Sequence, residues 1–515
     1  KLSKLLGVFC VGLLFALCGM SASAAETQEN VMYLDEKGEE KTASATVVES
    51  VLSNAPVTEV TWQTGWYVVV PQDPVTYIHG RIRVQGDVHL ILSDGASLSA
   101  YSGINVPVGS SLTIYAQSHS EETMGRLGDM QEVETNSGRA FIGGDANESC
   151  GTIIINGGNI TVGCPGEGAA GIGGGVNGNG GAITVNGGII RGLVKNGAAF
   201  IGGGVNGAGG NITITGGTFK DEGSSGVGSG VNGGPCNIVI RDVEEQTSYF
   251  DYSFNTPGVS TFSLINAKLN HLWLDCDGTI TIQNSELIQD GGAEIKCDGS
   301  INIDNSTIDG NAQMAAISGS AIITINNSDV INVSGKQATL QGGKISGRLS
   351  FDTMIVENAV VDCSIEADNL IINGGEILNK LRVYETITML HGGAIHGLEL
   401  RNGLVLVDGG AIFNGKDGSP AVECYGDSCG VIIDQTQEGA VQGTMNAPNA
   451  IYFHYDDNQK MIADFVGYYS ELMEFSIEEG WELRIHPGAW IQSLRVNNNG
   501  TILVAGTLDT DSKIK

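Results

Sequence analysis

A short hydrophobic motif recurs at regular spacing along the chain, and this repeat limits the available folds more than any other feature. Each copy is a triplet of β-branched residues followed by a polar residue and two glycines. Three copies occupy residues 153–158, 183–188 and 212–217, so the spacings are 30 and 29 residues. A glycine-rich motif recurs between them at 142–144, 172–178, 201–207 and, in degenerate form, 227–233. One copy cannot bury its own apolar face, but stacked copies can.

The repeat shortens after residue 270. Its later copies end in a polar pair, Asn-Ala or Gly-Gly, at 284–285, 305–306, 327–328, 342–343, 358–359, 374–375, 392–393 and 409–410. Successive steps are 21, 22, 15, 16, 16, 18 and 17 residues. Since equivalent turn residues of stacked repeats lie above one another, we expect a polar ladder of Asn156 and Asn186, and another of Asn284, Asn305 and Asn327.

The alternation within each triplet predicts a short strand with one buried and one polar face. Glycines at fixed places supply tight turns with positive φ at no steric cost. Equivalent strands of successive repeats are expected to lie parallel, about 4.8 Å apart. The sequence therefore predicts an all-β fold, a right-handed parallel β-helix (β-solenoid) with a capping N-terminal segment. A pair of β-sandwich domains is the main rival, disfavoured because Asn-Gly hairpin turns do not separate adjacent strands.

Composition divides the chain into segments. Residues 26–60 are densely charged and free of repeats, which predicts a leader and cap. The β-helix is predicted over 61–440, with a loop insertion at 116–138, and an aromatic-rich continuation is predicted over 441–515. The pattern is interrupted at Lys515, which favours a fragment of a longer protein.

The N-terminus predicts export. Lys1 and Lys4 precede an apolar run, and Ala-Ser-Ala at 22–24 fits a cleavage signature, so residues 1–25 are expected to be a signal peptide. The run is shorter than the roughly 20 apolar residues that a membrane span needs. We therefore expect a secreted, cell-surface-associated protein that does not span the membrane.

The net charge of the chain limits the classes of binding partner that we expect. Acidic residues number 58 against 26 basic ones, a formal net charge of -32, yet only 16% of residues are charged and 41% are hydrophobic. This composition excludes an intrinsically disordered chain, because disordered chains combine a low hydrophobic content with a high density of charge. Nucleic acid is not an expected partner, because no net-positive field exists to attract phosphates. Glycans or a host or bacterial surface are the expected partners, and the oligomeric state is left open.

Eight cysteines remain beyond the signal segment, and none has the paired spacing of a zinc site. They are Cys150, Cys164, Cys236, Cys276, Cys297, Cys363, Cys424 and Cys429. Cys276 and Cys297 occupy the same place in two successive repeats, so we expect them to stack as buried thiols.

Motifs that suggest catalysis have simpler explanations. Gly-Asp-Ser-Cys-Gly at 426–430 fits the G-x-S-x-G motif, but a β-branched strand follows it where a nucleophile elbow needs a helix. His391 and His396, the nearest candidate bases, lie in repeat turns. The G-x-G-x-x-G matches at 173–178 and 202–207 precede strands instead of the helix of a dinucleotide site. Asp456 and Asp457 form an adjacent acidic pair without the other residues of a hydrolase site. We therefore assign no catalytic residue.

Several segments occur in a familiar order: 32–35, 65–69, 88–96 and 112–115, followed by the Ile-Gly-Gly-Gly repeats. This order resembles the glycine-rich β-helical segments of large secreted surface proteins of Gram-positive bacteria, which are described as adhesin-like or carbohydrate-binding. The resemblance covers roughly residues 30 to 240. It implies display at the cell surface and supplies no functional residues to carry over.

The expected function is accordingly an adhesin-like or structural stalk, and not an enzyme. A carbohydrate-binding β-helix is the first alternative, and a polysaccharide lyase or hydrolase is the second. Trp62, Trp66 and Tyr67 are the candidate carbohydrate-binding residues, because flat rings suit the CH faces of sugars. No metal site and no cofactor are assigned, although weak calcium binding by stacked Asp and Glu is left open.

Overall fold

The fold is described from a computed structural model of the chain. The structure describes residues 26–52, 59–128, 138–162, 168–192, 194, 196–221, 226–243, 253–256, 260–269, 272–287, 293–309, 317–384, 387–401, 404–407, 409–425, 430–434, 441–442, 445–446, 450–455, 460–466, 468–477, 479–487, 489–498, 500–508 and 513–514.

The strands are numbered in chain order. Strands β1 to β9 are Thr27–Leu34, Glu40–Val47, Glu59–Val69, Thr76–Ile78, Arg81–Leu92, Ser97–Ala100, Ile104–Asn105, Ser111–Ala116 and Arg126–Gly128. Strands β10 to β20 are Ile142–Gly143, Thr152–Ile155, Asn159–Val162, Ile172–Gly173, Ala182–Val185, Ile189–Gly192, Ile201–Gly202, Gly210–Ile214, Thr218–Asp221, Val227–Gly228 and Cys236–Arg241. Strands β21 to β31 are Ser253–Thr256, Thr261–Ile265, Lys268–Leu269, Leu272–Cys276, Thr279–Gln283, Glu286–Leu287, Ala293–Cys297, Ser300–Asp304, Thr307–Ile308, Ile317–Ser318 and Ile322–Asn326. Strands β32 to β42 are Asp329–Gln341, Lys344–Val356, Val360–Ile372, Glu376–Ile377, Leu381–Tyr384, Ile387–Leu390, Ala394–His396, Leu398–Arg401, Leu404–Val407, Ala411–Phe413 and Val422–Tyr425. Strands β43 to β53 are Gly430–Asp434, Val441–Gln442, Met445–Asn446, Ala450–Tyr455, Met461–Val466, Tyr468–Ile477, Glu482–Ile485, Trp490–Asn498, Thr501–Val504, Thr507–Leu508 and Lys513–Ile514.

The described residues form an all-β protein without a helix, and nearly all strand pairs are parallel. Between residues 142 and 221, each repeat contributes one strand to each of three ladders. Strands β10, β13 and β16 form the first, β11, β14 and β17 the second, and β12, β15 and β18 the third. These parallel ladders confirm the all-β, stacked-repeat prediction and exclude the β-sandwich rival.

The register follows the sequence period. Ile153 pairs with Ile183, and Ile183 pairs with Ile212, at the predicted spacings. After residue 270, Ile280 pairs with Ile301, and the same ladder continues through Ile323, Ala338, Met354 and Leu370. The inward side chains of this ladder are almost fully buried. A slip of one residue would turn every buried side chain outward, so the apolar pattern itself holds the register.

Polar ladders follow the turns. The Nδ2 of Asn186 donates to the Oδ1 of Asn156 over 2.8 Å, which confirms that ladder. Asn284, Asn305 and Asn327 occupy equivalent turns with φ between 45° and 48°, a left-handed conformation that asparagine tolerates better than most residues. The amide of Asn284 donates to Asn266 over 3.2 Å.

The residues after these asparagines form a buried serine column. The backbone N–H of Ser285 donates to the Oγ of Ser306 over 3.1 Å, and that of Ser306 to Ser328 over 3.0 Å. All three serines are at most 5% exposed. The column satisfies backbone donors that the turn would otherwise leave buried without a partner.

Two segments outside the repeat have regular structure. Within residues 26–60, β1 and β2 pair as an antiparallel hairpin, and the end of β2 pairs with β3 through Thr46 and Val47. Within the segment 116–138, where a loop insertion was predicted, β9 is a ladder strand that joins β6 to β12. Leu127 of β9 is 1% exposed, so part of this segment belongs to the core.

Five cysteines of the described ladders are buried. Cys276 pairs in register with Cys297, as predicted, and the thiols of Cys150, Cys236, Cys297 and Cys363 are free. Burial raises the pKa of Cys150 to about 12, that of Cys363 to about 12 and that of Cys297 to about 11. The thiolate is the reactive nucleophile, so these thiols are protected from chemical modification both by burial and by staying protonated.

We expect these five thiols to resist alkylation at pH 8 in the native protein and to react once the chain is unfolded in denaturant. The native rates should be at least about a hundredfold below that of free cysteine, because both access and ionisation are suppressed. Peptide-resolved mass spectrometry after timed iodoacetamide treatment measures each thiol separately. Fast native labelling of Cys276 or Cys297 would contradict the buried stack.

Candidate functional site

The aromatic candidates lie on both faces of β3. Trp62 points into the core, is 4% exposed and stacks on Tyr67, with ring centroids 5.2 Å apart. The Tyr67 hydroxyl donates to the carbonyl of Gln63 over 3.1 Å. Trp66 lies on the opposite face, so the structure does not bring the three predicted residues together as one platform.

Trp66 belongs to a second cluster built from four strands. Its ring stacks on His89 of β5, with centroids 4.3 Å apart and planes inclined by 12°, and on Tyr115 of β8 at 5.3 Å. Tyr33 of the hairpin strand β1 packs against the same indole at 4.9 Å. His89 Nδ1 lies 3.0 Å from the Tyr115 hydroxyl. Burial raises the pKa of Tyr115 to about 12, so this hydroxyl stays protonated at neutral pH.

A third aromatic group was missed by sequence reasoning. Tyr77 and His79 lie at alternate positions around β4, and Tyr101 follows β6 one coil later. His79 stacks on Tyr101 with centroids 4.7 Å apart and planes inclined by 23°. The signal available in the sequence was the Tyr-x-His spacing, but the partner ring depends on coil register.

These rings stack along the ladder direction, at nearly the spacing of adjacent strands. A ring that stacks on its neighbour presents its edge to solvent and not its face. Sugar stacking needs an open face, so this geometry favours structural columns over a carbohydrate platform. Carbohydrate binding by Trp62, Trp66 and Tyr67 stays a prediction.

A charged cluster lies on the ladder of β36, β39 and β42. Glu399 accepts from Arg401 Nε over 2.7 Å and from Arg382 Nε over 3.4 Å. Lys380 Nζ donates to Glu423 over 2.7 Å and lies 3.8 Å from Glu399. The Glu399 side chain is 7% exposed. Residues from three successive coils therefore converge here, which the sequence could not reveal.

The chemistry of this cluster is that of a neutralised ion network. Burial alone would raise the pKa of Glu399, but Arg401 and Arg382 outweigh it and hold that pKa below its usual value. The hydrogen bond to Glu423 raises the pKa of Lys380. A glycoside hydrolase needs one carboxyl whose pKa is raised, so that it can donate a proton. Glu399 has the opposite shift, and the charged Lys380 is a poor general base.

The lowered pKa of Glu399 predicts acid sensitivity. A carboxyl whose folded pKa lies below its unfolded value stabilises the fold above the unfolded pKa, and this stabilisation is lost as pH falls through the folded pKa. We expect the protection of β36, β39 and β42 in hydrogen exchange to drop below about pH 4.3. In Glu399→Gln, protection at pH 7 should already be reduced and should change less with pH. An unchanged pH profile in that variant would contradict the assignment.

The other sequence candidates are accounted for separately. His396 ends β38, pairs with Glu376 over 2.7 Å and stacks on Phe413 at 5.3 Å. The glycines at 173 and 202 lie in the ladder of β10, β13 and β16. Residues 426–429 and 456–457 lie outside the described residues. Within the described ranges, no group of three or more His, Cys, Asp or Glu side chains could hold a metal ion, and weak calcium binding stays a prediction.

No helix of the described chain is long and apolar enough to cross a bilayer. Comparison with family models, curated proteins and solved structures gave no match.

Proposed function

We propose that the chain is an exported, surface-associated β-solenoid that acts as an adhesive or structural stalk. In this proposal the ladders close into a right-handed parallel β-helix, and the hairpin of β1 and β2 covers its first coil. The observation that carries it is the in-register stacking of successive repeats, whose inward, turn and aromatic positions all form columns. Such stacking extends a protein in one direction, because each repeat contacts only its neighbours.

Two further features support a role without catalysis. The convergent charged cluster around Glu399 is an ion network whose carboxyl has a lowered pKa, which suits cohesion between coils better than proton transfer. The acidic excess suits a long surface protein that must stay soluble and must not associate with its own copies. The resemblance to Gram-positive surface proteins is in keeping with this role.

The proposal is tested by shape and location. Small-angle scattering of the purified chain should give the profile of a rod, and labelled antibodies should bind intact producing cells. Deletion of residues 1–25 should retain the protein inside the cell. A compact scattering profile, or labelling only after the cells are lysed, would refute the stalk.

A further inference from the structure

Two of the three outward rows of the long ladder contain no charged side chain, whereas the third contains Arg241 and Asp304. The ladder runs through β11, β14, β17, β20, β22, β25, β28 and β31 and then through the C-terminal parts of β32, β33 and β34. Its inner row is Ile154, Thr184, Thr213, Val239, Ser263, Thr281, Asn302, Thr324, Thr339, Ile355 and Ile371. Its outer row is Thr152, Ala182, Asn211, Asn237, Thr261, Thr279, Ser300, Ile322, Gln337, Thr353 and Asn369. We call these two rows the neutral face.

Charged side chains occupy other outward positions of the same coils. Lys296 pairs with Asp275 over 3.3 Å on β27 and β24, and Arg348 pairs with Glu366 over 2.7 Å in the N-terminal parts of β33 and β34. On a further ladder, Lys268 lies 3.2 Å from Glu286. β-propensity and avoidance of stacked like charges act on all three outward rows equally, so neither explains why these two rows lack charge while the third contains Arg241 and Asp304. In a chain of net charge -32, such a face needs a separate reason.

The polar groups of the neutral face are ordered in advance. Asn237 donates to Asn211 over 2.9 Å, and Thr261 donates to Asn237 over 2.7 Å. The hydroxyls of Thr279 and Ser300 lie 3.2 Å apart. These bonds run from coil to coil and restrict the side chains that form them, so a ligand would lose less side-chain entropy on binding. The outer row is largely exposed, with Ile322 51% exposed.

We propose that the neutral face binds an uncharged polysaccharide chain lying along the coils. The two rows run from coil to coil and are therefore suited to a linear ligand. Hydroxyls and amides can bond sugar hydroxyls, while the methyl groups of threonine, valine and isoleucine can pack on sugar CH groups. A second copy of this chain is the less suitable occupant, because two acidic molecules repel each other. The inference rests on the proposed surface location and names a ligand class for the adhesive role.

The test is a depletion assay of the purified chain on cellulose, chitin, mannan and starch, with polygalacturonate as a charged comparator. Binding to at least one neutral polymer and none to polygalacturonate is expected. The variant Thr279→Lys/Ile322→Lys places two charged side chains on the neutral face. These side chains would have to lose bound water when a ligand binds along the face. It should weaken binding by tenfold or more.

Thr307→Lys is the matched control, since Thr307 is an exposed threonine on another ladder, between Glu286 and Asp329. It should change affinity less than twofold, and circular dichroism should show that both variants are folded. Absence of binding to every neutral polymer, or equal loss in both variants, would overturn the inference. So would self-association of the wild-type chain that the face variant alone abolishes, because the face would then join two copies. Scattering and cell labelling test the stalk independently.

Discussion

The variant Gly173→Ala should lose the stacking of the glycine-rich coils. Gly173 has a φ of 137°, which residues with a side chain rarely adopt, and its φ recurs at Gly143 and Gly202, within 5° of it. A Cβ at Gly173 would overlap with the carbonyl oxygen of Gly202 in the next coil. That oxygen already accepts the N–H of Gly174 over 2.9 Å. Neither the backbone nor the oxygen can move without breaking the ladder.

The expected cost combines backbone strain with overpacking and amounts to about 4 kcal/mol or more. Because a stack of repeats can unfold locally, the effect should appear first as loss of hydrogen-exchange protection in β10, β13 and β16. Gly234→Ala is the control, since Gly234 has no left-handed φ and a Cβ there would meet only the Ala208 methyl at 3.4 Å. Wild-type protection in Gly173→Ala would show that the column is not required.

The second large effect is expected at Arg81→Met. Arg81 is 4% exposed, and its guanidinium donates to the carbonyls of Ser102 and Ala140, each over 2.8 Å. It also lies 3.0 Å from a carboxylate oxygen of Asp145. One side chain thus joins three successive coils. Burial lowers the pKa of Arg81 to about 10, which still leaves it charged at neutral pH.

Removal of Arg81 leaves buried carbonyls unsatisfied and takes away the nearer cation of Asp145, which keeps only Arg139 at 3.8 Å, so we expect a loss of about 3–5 kcal/mol in the free energy of unfolding. Urea denaturation followed by the fluorescence of the nearby tryptophans measures it. The double variant Arg81→Met/Asp145→Asn should recover part of the loss, because the carboxylate that lost its nearer cation is also removed. Arg348→Met, which breaks an exposed pair with Glu366, should have little effect. Equal losses of unfolding free energy in Arg81→Met and Arg348→Met would show that burial does not make Arg81 more important for stability.

The repeat positions were predictable because they depend on local rules. Alternation of Ile with Thr marks the buried side of a strand, and the period between copies reappears as the register between Ile280, Ile301 and Ile323. The stacking of Cys276 on Cys297 follows from the same arithmetic. The strand β9 was not predicted, because its three residues lack the repeat pattern and owe their place to pairing with β6 and β12.

The candidate sites were less predictable. Trp62 and Trp66 are four residues apart, yet a register shift between Gln63 and Gly65 in the pairing of β3 places their rings in different clusters. The ion network of Lys380, Glu399 and Glu423 spans three coils of unequal length, so no regular sequence spacing predicts it.

By itself, the sequence determined the stacked parallel strands, their register and the glycine and asparagine turns. These features follow from side-chain alternation and backbone conformation, which are properties of a few neighbouring residues. Only the tertiary structure decided which outward residues share a face, how the rings stack and that Arg81 is buried. Such groupings depend on where each coil turns, and turn positions vary with the 15 to 30 residues that a repeat contains. The absence of charge from the neutral face becomes visible only when residues from many coils are aligned in space.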